Sequence, residues 1–576
     1  MKKLTLFFLF ISSFSVAQQQ YYVAKNGNNS NTGSLNNPWK TIQYGINKLS
    51  AGDVLHIKAG TYEEKLDVDV SGNASAYITI RNYQNDNVIL DAINFHNDAS
   101  ILWTDNAYLR IQGLHFTNNI FNFAGGIALQ GAAHHIEILN NKISNIKFSN
   151  DPNAKVTNET NAVPLSIYAD SPTDSIHNIL IKGNEVFNNQ TGYSENISAG
   201  GNFSTFIIED NIVHDNTNIG IDVGGNYKTV SNPALDQGRY GVIRNNLVYN
   251  CNSPYSPAAG IYIDGGRDII VENNTCHHNG YGGEIGCEEN GNSSNVTFRN
   301  NIFYNNFYTG MHIGGYDITP GNTGIVLNSK VYNNTFYQND VGNNFSGEIA
   351  LTKLKNCRIE NNIFYISNQN LFINTSRTQT NLILDYNLVY ANAGSNATKA
   401  DVNESTMSLA NFYNTTGYGS HSNFNNPMFT NANSKNFHIN NNSPAIDAGN
   451  PNYTVTTGNM NITGITIANV DIDNEPRVKN IVDCGADESS VTLGKEEYTF
   501  NIPLVYPNPT RTKIYVPERL VNSSYAITSS IGKLIHKGIL RTNSIDFSKY
   551  NQGLYFILLK DSNTNTQYSF RILKMD

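Results

Sequence analysis

An asparagine recurs in a fixed apolar frame through the middle of the chain, and this repeat limits the possible folds more than any other feature. The frame alternates apolar and variable residues up to the asparagine and continues with apolar or aromatic residues, as in VIRNNLV and TFRNNIF. The aligned residues are Asn141, Asn184, Asn211, Asn246, Asn274, Asn301, Asn334, Asn362 and Asn387. Most are 25–28 residues apart, with insertions in some repeats. This period is typical of one coil of a parallel β-helix.

The repeated asparagine has a physical role in such a coil. An Asn at a turn tolerates left-handed backbone angles. Its amide can also hydrogen-bond the equivalent amide on the next coil, about 4.8 Å away. A ladder of this kind satisfies polar groups that stacking buries. We therefore interpret these asparagines as structural. Leucine-rich repeats have a similar period, but they stack leucine rather than asparagine.

Composition also favours an all-β fold. The 576 residues include 45 Gly and only 6 Met, and long helices rich in Ala, Leu, Glu and Lys are absent. Charged residues make up 15% of the chain and the net charge is -9. Because phosphate binding needs clustered Lys and Arg, we expect no nucleic-acid partner. Five cysteines are too few for a dense disulfide framework.

The N-terminal residues read as a targeting segment. Residues 1–17, MKKLTLFFLFISSFSVA, place a basic start before a short apolar run and a small residue at the cut. This pattern predicts a secretory signal peptide. No later stretch has enough consecutive apolar residues to cross a bilayer of about 30 Å. We therefore expect an exported protein without a membrane span.

The C-terminal residues 503–576 have a different sequence pattern. Short alternating segments between turn residues predict a small β-sandwich. The YPNPT, DFSKY and GLY segments and the final Lys574 resemble the C-terminal sorting domain of the type IX secretion system of Bacteroidetes. The resemblance implies contact with that secretion machinery. It also implies a secreted or cell-surface location in a Gram-negative bacterium.

The remaining residues, 18–495, are predicted to form a β-helix with a catalytic role. A short helix at about 40–49 is expected to cap the first coil. The opening of this region resembles secreted right-handed parallel β-helix proteins of the pectate-lyase-like superfamily. SPAIDAGN at 443–450 and DCGADES at 483–489 resemble the segment that closes such helices. The resemblance covers about residues 20–490 and implies action on a polysaccharide, by lyase, hydrolase or epimerase chemistry.

A second frame, rich in glycine, predicts where the chemistry lies. It reads GIDVGG, GIYIDGG, GGEIGCEEN and GMHIGGYD on consecutive coils. Because side chains alternate along a strand, the residues between the buried apolar ones point outward together. One predicted outward row is Asp222, Tyr262, Glu284 and His312. The next is Gly224, Asp264, Gly286 and Gly314, where glycine would let a sugar approach the backbone. The alternative interpretation is a solvated sheet face whose acids align by chance.

These rows give a set of candidate site residues. The predicted catalytic residues are Asp222, Asp264, Glu284 and His312. Glu284 and one of the two aspartates would divide the acid and base roles, and strand spacing slightly favours inversion. The predicted substrate-binding residues are Tyr227, Tyr262, Arg267, Tyr281, Glu288, Glu289 and Tyr316. The alternatives are that Arg267 pairs with Asp268, and that Glu288 and Glu289 form a solvated acidic turn. We predict no metal site and no required cofactor, and we leave open whether the protein binds Ca²⁺.

The sequence is compatible with three functions. The first is a secreted, monomeric, endo-acting glycoside hydrolase, with sulfated algal glycans such as fucan as the lead because the outward face resembles that of endo-fucanases. The second is a polysaccharide lyase acting on a uronate-containing glycan. Calcium-dependent pectate lyases have an aspartate cluster and a base lysine, which the sequence lacks around residues 200–320. The third is a non-catalytic glycan-binding solenoid, which would not need converging carboxylates.

Overall fold

The structure is a computed structural model that describes residues 18–95, 99–319, 322–454, 469–489, 505–562, 564 and 566–576. The chain divides into two compact units, Met1–Ser490 and Val491–Asp576. The predicted signal peptide, residues 1–17, lies outside the described residues. So do residues 490–504, where we placed the end of the catalytic domain at 495 and the start of the sorting domain at 503.

The larger unit is a parallel β-helix built from three long sheets. Sheet 1 has 17 strands: Gln20–Val23, Val54–Ile57, Ile78–Asn82, Ala107–Gln112, His134–Leu139, Ile176–Lys182, Phe203–Glu209, Arg239–Arg244, Arg267–Glu272, Asn292–Ser294, Thr297–Arg299, Ile325–Leu327, Lys330–Tyr332, Leu354–Lys355, Arg358–Glu360, Gln379–Thr380 and Ile383–Asp385. Successive coils add parallel strands to the three sheets, apart from an antiparallel pair at the end of sheet 2. The predicted fold class is confirmed.

Sheets 2 and 3 have 13 strands each. Sheet 2 consists of Leu66–Val68, Ile101–Thr104, Ala124–Gln130, Ala162–Ala169, Ile197–Gly201, Ile221–Gly224, Ala259–Asp264, Tyr281–Cys287, Thr309–Gly315, Ile349–Leu351, Leu371–Thr375, Lys399–Val402 and Ser405–Ser408. Sheet 3 consists of Gly60–Tyr62, Val88–Asp91, His115–Thr117, Lys142–Ser144, Glu185–Phe187, Ile212–Thr217, Leu247–Asn252, Thr275–His277, Ile302–Tyr304, Thr335–Tyr337, Ile363–Tyr365, Leu388–Tyr390 and Asn423–Phe424.

The inward side chains of the three sheets form one continuous core. In sheet 1, for example, Ile208, Ile243 and Val271 lie in register on three successive coils and are fully buried. Stacking like side chains at one strand spacing packs apolar surface along the whole helix axis. The core therefore depends on every coil keeping the same register as its neighbours.

The asparagines of the sequence repeat form one buried hydrogen-bond ladder. Each asparagine from Asn141 to Asn362 donates its backbone N–H and its side-chain amide to the Oδ1 of the asparagine on the next coil. The last, Asn387, donates its backbone N–H to the hydroxyl of Ser422. From Asn246 to Asn274 both distances are 2.9 Å. The amide of Asn274 also donates to the carbonyls of Ile243 and Glu272 at 3.0 Å. The predicted structural role of these asparagines is confirmed.

The left-handed backbone angle lies one residue before each ladder asparagine, not on it as we predicted. The preceding residues have positive φ angles between 52° and 67°: Asn140, Gly183, Asp210, Asn245, Asn273, Asn300, Asn333, Asn361 and Tyr386. Glycine, asparagine and aspartate tolerate this conformation best. The turn and the ladder thus need two consecutive residues, which explains the frequent Asn-Asn pairs in the repeat.

A second ladder runs five residues after the first, and the sequence analysis missed it. Its members are Asn189, Asn216, Cys251, Asn279, Asn306 and Asn339. The amide of Asn306 donates to Asn339 Oδ1 at 2.8 Å, and the amide of Asn339 donates to the buried carboxylate of Glu348 at 2.8 Å. Cys251 has no amide, but its backbone N–H still donates to Asn279 Oδ1.

Short helices cover parts of the β-helix. The helix Ile42–Ile46 packs on the first coil, as predicted, although it is shorter than residues 40–49. The carboxylate of Glu64 accepts the N–H groups that open this helix, at 3.0 Å. After sheet 2 ends in an antiparallel hairpin, the helix Leu409–Thr416 packs its buried apolar residues on the last coils. Neither α-helix in the described part of the chain has the length and apolar character needed to cross a membrane.

The segment that we expected to close the helix runs along its side instead. Carbonyls of residues 470, 471 and 483 accept hydrogen bonds from the side chains of Asn300, Asn273 and Asn333. These donors are left-handed turn residues of successive coils. A hairpin, Phe429–Asn431 and Asn436–Ile439 with the 3₁₀ turn Ala432–Ser434 between them, packs Phe437 on sheet 3. Residues 317–319 and 322–323 form a further two-stranded sheet.

The smaller unit contains two antiparallel sheets, as the predicted sandwich requires. One pairs Lys513–Tyr515 with Ser544–Asp546. The other contains Leu534–Ile539, Ser524–Ser529, Gly553–Lys560 and Gln567–Lys574 in that spatial order. A single core joins Ile514 of the first sheet to Ile527 and Ile557 of the second. The 3₁₀ helix Glu518–Leu520 adds the buried side chain of Leu520 to this core.

The ladder predicts a specific loss of stability. Replacing Asn274 with Ala would leave both donors of Asn246 without their buried acceptor. The Oδ1 of Asn301 would lose the side-chain amide of residue 274 and keep only its backbone N–H. We expect the free energy of unfolding to fall by about 1–3 kcal/mol for each buried group left unpaired. Chemical denaturation of the β-helix measures this change.

An exposed asparagine supplies the control. Asn252→Ala removes only a surface hydrogen bond to the carbonyl of His278, so its effect should stay within about 0.5 kcal/mol. Equal effects of the Asn274 and Asn252 variants would contradict a stabilising ladder.

Candidate active site

The predicted outward row on sheet 2 is present in the structure. Neighbouring strands pair Asp222 with Tyr262, Tyr262 with Glu284, and Glu284 with His312. The residues on either side of them in each strand, such as Ile221 and Ile285, are fully buried in the core. The alternation of faces therefore directs the row away from the core.

The second row is also in register, but its glycines do not all leave space for a ligand. Gly224 pairs with Asp264, and Asp264 pairs with Gly286. A Cβ added at Gly286 would lie 2.5 Å from the hydroxyl of Tyr262, so this glycine makes room for a protein side chain and not for a sugar. A Cβ added at Gly200, one coil before Gly224, would meet no atom closer than 3.7 Å. Space next to the backbone is open at that end.

These rows form the floor of a groove of about 890 Å³ on sheet 2, which we call the acidic groove. It is lined by Gln130, Asn161, Val163, Ser166, Ile167, Tyr168, Tyr193, Ser194, Glu195, Ser198, Ala199, Gly200, Gly201, Asn218, Ile219, Asp222, Gly224, Tyr227, Thr229, Ser256, Pro257, Tyr262, Asp264, Tyr281, Glu284, Glu288 and Tyr316. Most of the predicted site residues are in this set. The groove extends further toward the N-terminal coils than we predicted.

Asp264 is held by two donors. The hydroxyl of Tyr227 donates to Asp264 Oδ2, and the backbone N–H of Glu288 donates to Asp264 Oδ1 at 3.0 Å. Burial raises the pKa of Asp264 to about 6, although both donors favour its charged form. Asp264 is therefore a fixed carboxylate whose two oxygens are both occupied by protein donors.

Glu284 belongs to a different hydrogen-bonded group. Tyr316 donates its hydroxyl to Glu284 Oε1 at 2.6 Å, and His312 Nδ1 lies 3.0 Å from the same oxygen. The Tyr316 hydroxyl is also 3.0 Å from His312 Nδ1. The imidazole stacks between the rings of Tyr281 and Tyr316, with centroid distances of 5.7 and 5.1 Å. His312 contacts Glu284 but does not line the groove itself.

Asp222 has the least satisfied carboxylate of the row. Only 8% of the residue is exposed, and its Oδ1 has no hydrogen-bond partner among the described residues. Burial raises the pKa of Asp222 well above its usual range, and the charges of Glu195 and Asp264 raise it further. A carboxyl group in this environment keeps its proton at a pH where an exposed aspartate has lost it.

Glu195 was missed by the sequence analysis. It precedes the strand Ile197–Gly201, and the hydroxyl of Ser198 donates to Glu195 Oε2 at 2.9 Å. Burial raises the pKa of Glu195 to about 7, against the opposing effect of that hydrogen bond. The signal was present in the sequence, because ISAGG repeats the apolar-x-apolar-Gly-Gly pattern of IDVGG one coil earlier, and Ser198 pairs with Asp222.

Two of the predicted binding residues are not in the groove. Arg267 begins the sheet 1 strand after the Gly265–Gly266 turn, and its guanidinium donates to Asp268 at 2.7 Å and to the Tyr240 hydroxyl at 3.1 Å. Glu289 follows the end of its sheet 2 strand on the way to sheet 1 and does not line the groove. In both cases the chain has turned away from sheet 2. Glu288, in contrast, lines the groove.

The predicted aromatic residues do reach the groove. Tyr227, Tyr262, Tyr281 and Tyr316 all line it. Tyr168 and Tyr193 lie in the same lining with about half of each residue exposed, and neither was predicted. Exposed tyrosine rings in a groove are suited to stacking on sugar rings.

The groove carboxylates do not fit a preformed calcium site of the kind that pectate lyases would imply. Among the residues that the structure describes, only His438, Asp473 and Asp487 bring three ligand atoms within 4.8 Å of one another. That group lies outside the groove lining. Asp264 and Glu284 are instead engaged by separate protein donors. We therefore derive no step through a metal ion.

Comparison with known proteins now identifies the family. Residues 21–307 match the model described as the Pel9A-like, right-handed β-helix region. The chain is 33% identical over 445 residues to the uncharacterised protein YwoF of Bacillus subtilis, covering 74% of this chain and 91% of that protein. The chain therefore belongs to the Pel9A-like right-handed β-helix family. Residues 504–573 match the secretion system C-terminal sorting domain, which directs export to the cell surface or extracellular space.

Two further similarities are more limited. Pectate lyase PEL9 of Emericella nidulans is 29% identical over 105 residues, which covers 17% of this chain and 26% of that enzyme. The crystal structure of pectate lyase Pel9A is 14% identical with a TM-score of 0.45, covering 82% of this chain and 96% of that one. The family includes polysaccharide-degrading enzymes, and neither comparison decides between lyase and hydrolase chemistry.

Because the groove carboxyl groups are buried, we expect the stability of the folded protein to depend on pH. Glu288 allows this dependence to be measured. Burial, together with the charges of Asp264 and Glu284, raises the pKa of Glu288 from its ordinary value of 4.5 to about 8. Between these values the folded state binds more protons than the unfolded state. The stability contributed by this proton is present below pH 4.5 and is lost as the pH rises through 8.

We expect the wild type to lose stability relative to Glu288→Gln as the pH rises from 5 to 9. Thermal unfolding at one-unit intervals measures the difference in Tm between the two proteins. A Tm difference that does not change with pH, or a wild type that gains stability over the variant as the pH rises, would contradict the burial of this carboxyl group.

Proposed function

We propose that this protein is an exported enzyme that hydrolyses internal glycosidic bonds of a polysaccharide bound in the acidic groove. The observation that carries the proposal is the placement of Asp222 and Glu284 on one face of sheet 2, two strands apart, with opposite surroundings. Asp222 is buried among like charges without a donor on Oδ1, whereas Glu284 accepts a hydrogen bond from Tyr316.

The separation of the two groups favours inversion of configuration. Two steps across the sheet place their backbones about 9–10 Å apart at the usual strand spacing of about 4.8 Å. Inverting glycosidases hold their two carboxyl groups about 6.5–9.5 Å apart, and retaining ones about 5–5.5 Å. The larger gap leaves room for a water molecule beside the sugar.

The surroundings assign the two roles. Asp222 keeps its proton because burial and the charges of Glu195 and Asp264 oppose its loss, so it acts as the general acid. It donates that proton to the glycosidic oxygen as the bond from this oxygen to the anomeric carbon breaks. Glu284 accepts a proton from water while the water oxygen bonds to the anomeric carbon from the opposite face. Tyr316 and His312 position the Glu284 carboxylate.

The sulfated-fucan lead receives no support from the groove. A sulfated chain needs cationic partners, and the groove lining of the described chain includes neither lysine nor arginine. Arg267, one of the candidate binding residues, pairs with Asp268 on sheet 1. We therefore do not retain fucan as the proposed substrate.

A lyase is the second candidate, and one observation favours it. The hydroxyl of Tyr316 lines the groove within hydrogen-bond distance of His312, and a tyrosine so placed can donate its proton to the departing sugar oxygen of an elimination. The similarity to pectate lyase PEL9 points the same way. A lyase forms a double bond in its product, which absorbs ultraviolet light, whereas hydrolysis forms only a new reducing end.

The test records both products while varying Glu284. The exported chain is incubated with neutral, uronic and sulfated polysaccharides, and reducing ends and ultraviolet absorbance are measured together. We expect reducing ends without absorbance. Glu284→Gln should lower kcat by about 10²–10⁴-fold, the usual contribution of a general base, with an unchanged Tm.

Asp268→Asn is the matched control, because Asp268 pairs with Arg267 on sheet 1 and lies outside the groove lining. This variant should keep the wild-type rate. A rise in ultraviolet absorbance would show that the reaction is an elimination and would contradict hydrolysis. A Glu284→Gln variant with the wild-type rate would remove Glu284 from the mechanism.

A further inference from the structure

A cluster of metal-ligating side chains lies outside the acidic groove. His438, Asp473 and Asp487 each bring one ligand atom within 4.8 Å of the other two. His438 belongs to the hairpin strand Asn436–Ile439, whereas the two aspartates lie near opposite ends of the segment 469–489. Because the three residues meet only in the folded chain, no spacing in the sequence indicated them.

The neighbouring Asn436 fixes the tautomer of His438. The Oδ1 of Asn436 accepts the backbone N–H of His438 at 3.2 Å and lies 2.5 Å from its ring nitrogen Nδ1. Since this oxygen can only accept, Nδ1 carries the hydrogen of the second contact. In the neutral imidazole, Nε2 therefore keeps its lone pair. Histidines that bind metal ions are typically oriented in this way, by a hydrogen bond from the other ring nitrogen.

The lone pair of His438 Nε2 faces a carboxylate oxygen. Nε2 lies 2.9 Å from Asp473 Oδ2, and neither atom can donate a hydrogen bond while the imidazole is neutral. Two acceptors at this distance need a cation between them, which is either a proton on the imidazole or a metal ion that both atoms bind. A proton would be sufficient for an isolated pair.

Asp487 makes the cluster more than an isolated pair. The residue is more than nine-tenths buried, and its Oδ2 accepts the backbone N–H of Ile439 at 2.8 Å. Among the residues that the structure describes, its Oδ1 has no hydrogen-bond partner. A buried carboxylate is normally paired or bound to a metal ion. One proton on His438 would balance only one of the two aspartates, whereas a divalent cation balances both.

The third ligand is also held in place, and the cluster is open to solvent on one side. The fully buried Asp471 accepts the backbone N–H groups of Asp473 and Glu475 on its Oδ1, both at 2.9 Å. The side chains of His438 and Asp473 are 39% and 49% exposed. An ion can therefore enter from solvent, and water can complete its coordination.

We propose that His438, Asp473 and Asp487 bind a divalent transition-metal ion, with Zn²⁺ as its representative, which joins the segment 469–489 to the hairpin. Zn²⁺ accepts imidazole nitrogen and carboxylate oxygen together, whereas Ca²⁺ and Mg²⁺ are bound mainly by oxygen ligands. The role of the ion is structural. This inference is independent of the proposed reaction, because none of the three residues lines the acidic groove.

The test measures zinc binding by the untagged exported chain after a chelator has removed bound metal. Calorimetry with zinc chloride gives the affinity and the number of ions bound, and thermal unfolding gives the Tm with and without zinc. We expect a zinc ion to bind at this cluster and to raise the Tm, because it binds the folded state.

Three substitutions separate the ligands from their support. Losing an outer partner of a metal ligand costs about 10–100-fold in affinity, so this loss is expected for Asn436→Ala. Asp473→Asn and His438→Ala each remove a ligand, and each should weaken zinc binding by at least about 100-fold and abolish the rise in Tm. The Tm measured in chelator shows whether each variant is folded.

His421 supplies the matched control. It pairs with Asp385 at 2.7 Å, but no third ligand atom joins this pair in the described ranges of the chain. His421→Ala should therefore keep the wild-type zinc affinity and the rise in Tm.

Each other outcome overturns the proposal. A wild-type protein that binds no zinc, or equal zinc affinities of the wild type and Asp473→Asn, would show that the cluster is an ion pair only. An equal loss of affinity in the His421→Ala protein would show that zinc binds surface histidines without selecting this cluster.

Discussion

The hydrogen bonds between equivalent asparagines on successive coils hold the coils of the β-helix in one common register. Each ladder step joins both a backbone N–H and a side-chain amide to one Oδ1, as from Asn246 to Asn274. A slip of one residue in any coil would break these buried bonds and turn the side chains of that strand to the opposite face. The ladder therefore fixes which side chains enter the core and which face outward.

That register assembles the acidic groove from residues far apart in sequence. Asp222 and Glu284 are 62 positions apart in the chain, yet only one strand separates them on sheet 2. Burying several carboxyl groups together is unfavourable, and the raised pKa values of Glu195, at about 7, and Glu288, at about 8, reflect it. The packed coils beneath the groove hold these carboxyl groups in place, and their stability offsets the unfavourable free energy of burying the groups together.

The sequence predicted the features that repeat and was less informative about those that do not. A period of 25–28 residues with a common frame determines the coil, the ladder and the row from Asp222 to His312. The sequence left open whether Arg267 binds substrate or pairs with Asp268, because the frame does not say at which residue a coil turns from sheet 2 into sheet 1. Residues 470–483 run along the side of the β-helix because they contact turn residues that are distant in the sequence. No local sequence pattern indicates these contacts.

Two other omissions had a sequence signal that was present but weak. The second ladder follows the first by five residues, but Cys251 interrupts it, and the same spacing also fits a surface loop. Glu195 lies just before its strand, so the alternation within the strand does not orient it, and only the ISAGG pattern marks its coil. Repetition reveals the scaffold, whereas single positions at turns need the three-dimensional structure.

In the proposed reaction a glycan lies along the acidic groove with its scissile bond between Asp222 and Glu284. The decisive experiment is a crystal structure of the Glu284→Gln protein with a bound oligosaccharide of the cleaved polysaccharide. We expect a glycosidic oxygen within hydrogen-bond distance of the Asp222 carboxyl group, and a water molecule between residue 284 and the anomeric carbon. An oligosaccharide bound outside the groove, or one whose glycosidic oxygens all lie beyond reach of Asp222, would contradict it.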